Sequence, residues 1–182
     1  MEPAVVLPLL LAALVALVLT LFLRRASGAL RVTRQVERFQ EDAAALGVRL
    51  DALLEATIAQ VDAMRRGATD AAAIGGDLAS AAESLEQAMA QAASLAAPPA
   101  LLGAREAIVA DIAHAERALD MVQHGCALAA GPRARSRSME AQISVKRGYL
   151  NLLHAREALA RHVADLAEAR DVAQAAWRTF RA

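Results

Sequence analysis

The stretch SVKRGYLNLLHAREALARH, residues 144–162, holds the only lysine of the chain (Lys146), its only tyrosine (Tyr149) and two of its four histidines, His154 and His162. Two kinds of chemistry are worth weighing around it. Asp111-x-x-His114, His154-x-x-Glu157 and His162-x-x-Asp165 each set an imidazole and a carboxylate three residues apart. On a helix that spacing puts both groups on one face, and such a pair can ligate a divalent metal. The candidate ligands are therefore Asp111, His114, His154, Glu157, His162 and Asp165. The other chemistry is a Cys–His nucleophile pair in His124-Gly125-Cys126. Residues two apart on a helix point about 200° from each other, so that pair works only if the helix breaks at Gly125.

The carboxylate–histidine spacing resembles the ferritin-like di-iron proteins, in which facing helices of a bundle supply such ligands. The chain departs from that pattern. It lacks paired inward Glu residues on two further helices, and the order of carboxylate and histidine is reversed at His154 and His162. His-plus-acid pairs also arise as plain surface pairs on helices, so no metal or other cofactor is assigned. No phosphate-binding glycine loop, G-x-S-x-G or H-E-x-x-H occurs, and each of those would mark a specific mechanism. The chain is expected not to be an enzyme.

Packing explains 144–162 better. Gly148 inside a helix costs about 1 kcal/mol against alanine, a cost usually accepted where another helix comes close. Tyr149, Leu150, Leu152 and Leu153 cover more than one face, with Asn151 at a rim or in an inter-helix hydrogen bond. Lys146, Arg147 and Arg156 are expected to pair with acids of adjacent helices. The segment reads as the central packing layer of a bundle.

Composition agrees. Hydrophobic residues make up 57% of the chain but aromatics only 3%, so the apolar content is mostly Ala, Leu and Val. That favours closely packed helices over sheets, which prefer β-branched and aromatic residues. A net charge of zero supplies no overall field for nucleic acid, which is not an expected partner. A single cysteine, Cys126, excludes an intramolecular disulfide and a Cys-based zinc cluster.

Residues 4–23 read AVVLPLLLAALVALVLTLFL, without a charge. Twenty such residues span about 30 Å, the thickness of the hydrocarbon core. No polar stripe marks a soluble helix, and no basic stretch precedes the run as a signal peptide requires. Residues 1–25 are thus expected to be a single transmembrane anchor in a cell membrane. Arg24, Arg25, Arg31, Arg34 and Arg38 follow it, so the positive-inside rule puts the amino terminus outside and the helical domain in the cytoplasm.

Beyond Gly28, Val32, Val36, Phe39, Ala43, Leu46, Leu50 and Leu53 recur at alternating spacings of three and four, and Leu54, Ile58 and Val61 continue the seam after a shift of phase. This is coiled-coil spacing. It stops at Arg65-Arg66-Gly67. Thr69 or Asp70 can cap a second helix, although Gly75-Gly76 and the capping-box pattern Ser80-x-x-Glu83 leave its start open. Pro98-Pro99 separates it from a third helix carrying Leu101, Ile108, Ile112, Ala115, Leu119, Val122 and Cys126. Gly131-Pro132 ends that one, 133–138 reads as a solvated loop, and Ser138 can cap a fourth helix. Its expected apolar face is Ile143, Leu150, Leu153, Leu159, Val163, Leu166, Ala173, Trp177 and Phe180. Short connections make successive helices antiparallel. The fold class is all-α: one transmembrane helix, then an elongated, coiled-coil-like antiparallel bundle over 26–182, with helices near 28–66, 70–96, 99–130 and 138–181.

An antiparallel bundle beside a span resembles, in architecture, the four-helix ligand-binding modules of bacterial chemoreceptors. Those lie outside the cytoplasm between two spans, whereas this chain has one apolar run. The expected function is a non-catalytic interaction or scaffold module whose partners are the lipid bilayer and another protein or a second copy of the chain. A membrane-linked sensory bundle is the alternative, and a metal-binding bundle the third.

Overall fold

The computed structural model describes residues 3–131 and 134–181, with side chains described at Thr20, 32–131, 135–169 and 171. It is all-helical: α1 (Pro3–Arg65), α2 (Gly75–Ser94), α3 (Leu102–Ala130), preceded by a 3-10 turn at Pro99–Leu101, and α4 (Ala134–Arg181). No strand occurs among the described residues. The backbone of α1 stays helical through Ser27-Gly28. Among the described residues no helix is long and apolar enough to cross a membrane. The side chains of the anchor expected over 1–25, Thr20 apart, lie outside them, as do those of Trp177 and Phe180.

The boundaries follow local chemistry, with two departures from expectation. Helix α1 ends where its sequence says: Gly67 adopts φ 74°, a left-handed conformation that glycine enters without penalty. The Gly67 amide donates to the Met64 carbonyl at 3.0 Å and the Ala68 amide to Ala63 at 2.9 Å, the paired bonds of a Schellman stop. Helix α2 starts at Gly75 rather than near 70. Its N-cap residue, Ile74, offers no side-chain hydrogen bond, and the chain from Asp70 makes a separate turn, closed by the Ala73 amide on the Asp70 carbonyl at 3.0 Å. Ser80 lies inside α2, so its capping box is unused, and added methyl groups at Gly75 and Gly76 would meet open space. Helix α4 starts at Ala134, so most of the expected 133–138 loop is its first turn and Ser138 is no cap.

Four contacts fix the register of the antiparallel neighbours. Arg49 of α1 donates to Gln91 of α2 at 2.9 Å, and Gln123 of α3 to the Leu78 carbonyl of α2 at 3.1 Å. Asp111 of α3 meets His162 of α4 at 2.6 Å. Gln40 of α1, 6% exposed, donates to the Leu166 carbonyl of α4 at 3.2 Å. The α1 seam is buried from Phe39 through Ala43, Leu46, Leu50, Leu54, Ile58 and Val61, while Leu53 is half-buried. It opens later than its heptads begin: Val32 is 54% exposed. Since α2 ends at Ser94 and α3 begins at Leu102, neither runs beside that part of α1.

Helices α3 and α4 approach most closely, through small residues repeated every seven positions. Ala118 and Gly125 recur on α3, and Ala141, Gly148 and Ala155 on α4. A methyl group on Gly148 would stand 2.7 Å from the Ala118 carbonyl oxygen and 2.6 Å from a Val122 methyl. One on Gly125 would stand 2.6 Å from a Val145 methyl and 2.9 Å from the Ala141 carbonyl oxygen. Dispersion forces need such proximity, and a seam free of bulky side chains provides it. The buried row of α4 is Ala141, Val145, Leu152, Ala155, Leu159 and Leu166. Two expected members of that face do not join it: Ile143 is 46% and Leu150 42% exposed. The fully buried leucine is Leu152, and Leu153 is half-buried.

Candidate interaction surface

Of the polar residues singled out in sequence, Asp111, His162 and Arg156 join one helix to another. Asp111 and His162 continue the seven-residue rows of the α3–α4 seam, one step beyond Ala118 and Ala155. Where those rows bring two backbones together, the pair meets through His162 Nδ1 and Asp111 Oδ2 at 2.6 Å. None of the other candidate ligands joins them. His114 is half-buried, His154 and Asp165 are exposed, and Glu157 faces Arg161 on its own helix at 3.7 Å. Among the described residues no three His, Cys, Asp or Glu side chains are grouped as a metal site requires.

His124 and Cys126 part as helical geometry dictates, because α3 runs unbroken through Gly125. His124 is exposed, whereas Cys126 is buried with Sγ 3.5 Å from Met64 Sδ. Burial pushes the Cys126 thiol up from its usual range, which disfavours the thiolate a nucleophile needs.

Arg156 clasps α4 to α1 as its flanking position suggests. Its Nε donates to Asp51 Oδ1 at 2.6 Å, and its second nitrogen reaches Asp51 Oδ2 at 3.2 Å and Glu55 Oε2 at 3.0 Å. The hydrogen bond from Arg156 holds the Asp51 carboxyl below the usual carboxylate range against the opposing effect of burial. Lys146 and Arg147 do not follow suit: no ion pair forms at either among the described residues.

Those two basic residues flank the free end of the α3–α4 hairpin, where the surface differs from the rest. On one side a cleft of about 870 Å³ lies between the hairpin and the α1–α2 turn. Its lining includes Met64, Cys126 and Val145 together with Arg65, Asp70, Arg135 and Lys146. Arg65 also stacks over the Tyr149 ring at 4.2 Å. On the other side a shallower groove of about 580 Å³ runs between α3 and α4 past Met121, Met139, Ile143 and Arg147. Met139 is 74% exposed and lines this groove with Ile143 and Met121, both also exposed; Leu150, exposed further along α4, lies outside its lining. Sequence reasoning missed Met121 and Met139, because one begins no obvious periodic run and the other falls beside the segment read as a loop. The available signal was Met139, Ile143 and Leu150 at steps of four and seven, a second apolar stripe about half a turn from the buried one.

Comparison with protein-family models, with characterised proteins and with solved structures finds no match to this chain.

Proposed function

We propose that this chain is a single-span membrane protein whose helical domain is a non-catalytic docking scaffold. The observation that carries the reading is the division of labour on its surface. Asp111–His162 and Arg156–Asp51 tie helices to one another, while Met121, Met139, Ile143 and Leu150 are left exposed on α3 and α4. Exposed apolar strips rimmed by polar residues mark interaction sites.

The anchor rests on the charge-free run 4–23, and its orientation on Arg24, Arg25, Arg31, Arg34 and Arg38. In this reading the bundle stands in the cytoplasm and carries the hairpin end away from the bilayer. The test is extraction of membranes with alkaline carbonate. The full chain is expected to stay in the pellet, and a chain lacking 1–24 to be released as a helical, monodisperse protein by circular dichroism and sedimentation. Release of the full chain, or retention of the shortened one in high salt, refutes the reading.

One second reading is a membrane-linked sensory bundle that binds a small ligand in the cleft lined by Arg135, Lys146, Asp70 and Arg65, the last already paired with Asp62 at 3.5 Å. A rise in melting temperature with an organic carboxylate or phosphate, lost in Lys146→Ala, would support it over the scaffold.

A further inference from the structure

We propose that α2 is a lid: it opens from the bundle by local unfolding while α1, α3 and α4 stay assembled, and so gates the apolar seam of α1 beneath it. The inference goes beyond the scaffold reading and does not depend on it.

The helices are held unequally, and α4 is the hub. Against α3 it forms the glycine seam, where methyl groups on Gly148 and Gly125 would stand 2.7 and 2.9 Å from backbone carbonyl oxygens. Against α1 it sets Val163, whose methyl would lie 2.7 Å from one added at Gly47. The Arg156 clasp on Asp51 and Glu55 and the Gln40 bond to the Leu166 carbonyl join the same two helices. None of these contacts involves α2, so α1, α3 and α4 remain tied to one another without it.

Helix α2 is attached more lightly. Its buried row is Leu78, Ala81, Leu85, Ala88 and Ala92; three of these bring only a methyl group to the core, and apolar stabilisation scales with buried area. A groove of about 280 Å³ lies between Leu46, Leu50 and Leu53 of α1 and Ser84, Ala88 and Gln91 of α2. Another, of about 300 Å³, lies between Ala93 of α2 and Arg105, Val109 and Ala113 of α3. Gln60 reaches Asp77 at 3.0 Å and Arg49 reaches Gln91 at 2.9 Å, both in exposed positions, where water competes for the same groups. Glu86 of α2 also raises the cost of charge on Glu116 of α3, whose carboxyl is pushed up first by burial, then by Glu86 and Asp120, with Arg117 opposing. The helix starts without a side-chain cap at Ile74, and Gly75 and Gly76 follow with open space around them, glycine being costly to hold in a helix. Ile74 and Leu95 are buried just outside its ends and hold the two connections, so the unit that opens is the helix between them. An element with few apolar contacts and exposed hydrogen bonds opens before the rest of its domain. Opening uncovers Leu46 and Leu50, each 2% exposed when α2 is in place.

The experiment is hydrogen exchange of the full chain in nanodiscs of zwitterionic lipid, read by mass spectrometry. Amides of 78–92 are expected to be at least about tenfold less protected than those of 112–122 on α3 and 145–159 on α4. Two variants separate opening of α2 from unfolding of the whole bundle. Gly148→Ala weakens the α3–α4 seam, which the open state keeps, so protection should fall at least about fivefold in α3 and α4 and stay unchanged in α2. Gly76→Ala stabilises α2 itself, since Gly76 has open space and no positive φ, and should raise α2 protection by about two- to fivefold. Equal protection of α2, α3 and α4 in the parent chain overturns the inference. So does a fall in α2 that matches the fall in α3 and α4 in Gly148→Ala, or α2 protection unmoved by Gly76→Ala. Should Gly148→Ala not fold, the parent chain and Gly76→Ala still decide. Carbonate extraction tests the scaffold reading separately, so either can fall without the other.

Discussion

A methyl group added at Gly148 and one added at Gly76 have opposite consequences, although both glycines lie in helices. At Gly148 it would stand 2.7 Å from the Ala118 carbonyl oxygen and 3.0 Å from the Val122 amide nitrogen. Both are backbone atoms, so relief requires the helices to separate. Gly148→Ala should cost about 1–3 kcal/mol through overpacking, despite alanine's better helix propensity. Gly76 meets nothing within 4 Å, and Gly76→Ala should gain about 0.4–1 kcal/mol by restricting the unfolded chain. Thermal melts followed by circular dichroism check both; a Gly148→Ala protein as stable as the parent would mean that the α3–α4 seam is not as close as described. The need for a close approach at Gly148 was legible in sequence, because a glycine amid good helix formers is anomalous. The identity of the deepest leucine was not. Leu152 and Leu153 are adjacent and chemically equal, and only the register against α3 decides that Leu152 is fully buried and Leu153 half-buried.

Electrostatics belongs to pairs of elements. Glu116 on α3 has its carboxyl pushed up, first by burial, then by Glu86 of α2 and by Asp120, with Arg117 opposing. A carboxyl whose folded pKa is raised is a liability when ionised, and the penalty disappears as pH falls through that raised pKa. Glu116→Gln should therefore raise the melting temperature at neutral pH, and the gain should shrink to nothing in acid. A variant that melts lower than the parent at neutral pH would show that the α2–α3 contact depends on the charge. Asp51 has the opposite sign. Its folded pKa is lowered by Arg156, so the α1–α4 clasp contributes above the ordinary carboxylate range and is lost as pH falls through the lowered value. The helix count and the α1 stop at Gly67 were legible from periodicity and punctuation. The starts of α2 and α4 were not. Asp70 and Ser138 are good cap residues in isolation, yet one closes a separate turn and the other sits inside a helix that had already begun at Ala134.

At the scale of the whole molecule, the unequal helix lengths carry the argument. Helices α2 and α3 stop at Ser94 and begin at Leu102, while α1 continues back to Pro3 and α4 on to Arg181. The last fixed point between the two long helices is Gln40 on the Leu166 carbonyl. Arg181 lies 15 residues beyond Leu166, and Arg25 lies 15 before Gln40. At 1.5 Å per residue both correspond to about 22 Å along the helix axes. If the antiparallel register continues, the end of α4 arrives beside the Arg pair that follows the apolar run. Trp177 would then stand about 6 Å short of Arg181, at the headgroup level where tryptophan is favoured, with Arg178 and Arg181 able to face phosphate. Trp177 is the only tryptophan in the chain, so its fluorescence reports this site alone. In reconstituted vesicles, bromine-labelled lipids should quench it strongly when the label is shallow and weakly when it is deep in the acyl chains. Replacing Arg178 and Arg181 together with Glu should reduce that quenching, since the interfacial attraction becomes repulsion on an anionic surface. A Trp177 emission untouched by brominated lipid and readily quenched by aqueous acrylamide would place the end of α4 away from the bilayer. The anchored, membrane-returning hairpin of α1 and α4 would then have to be abandoned.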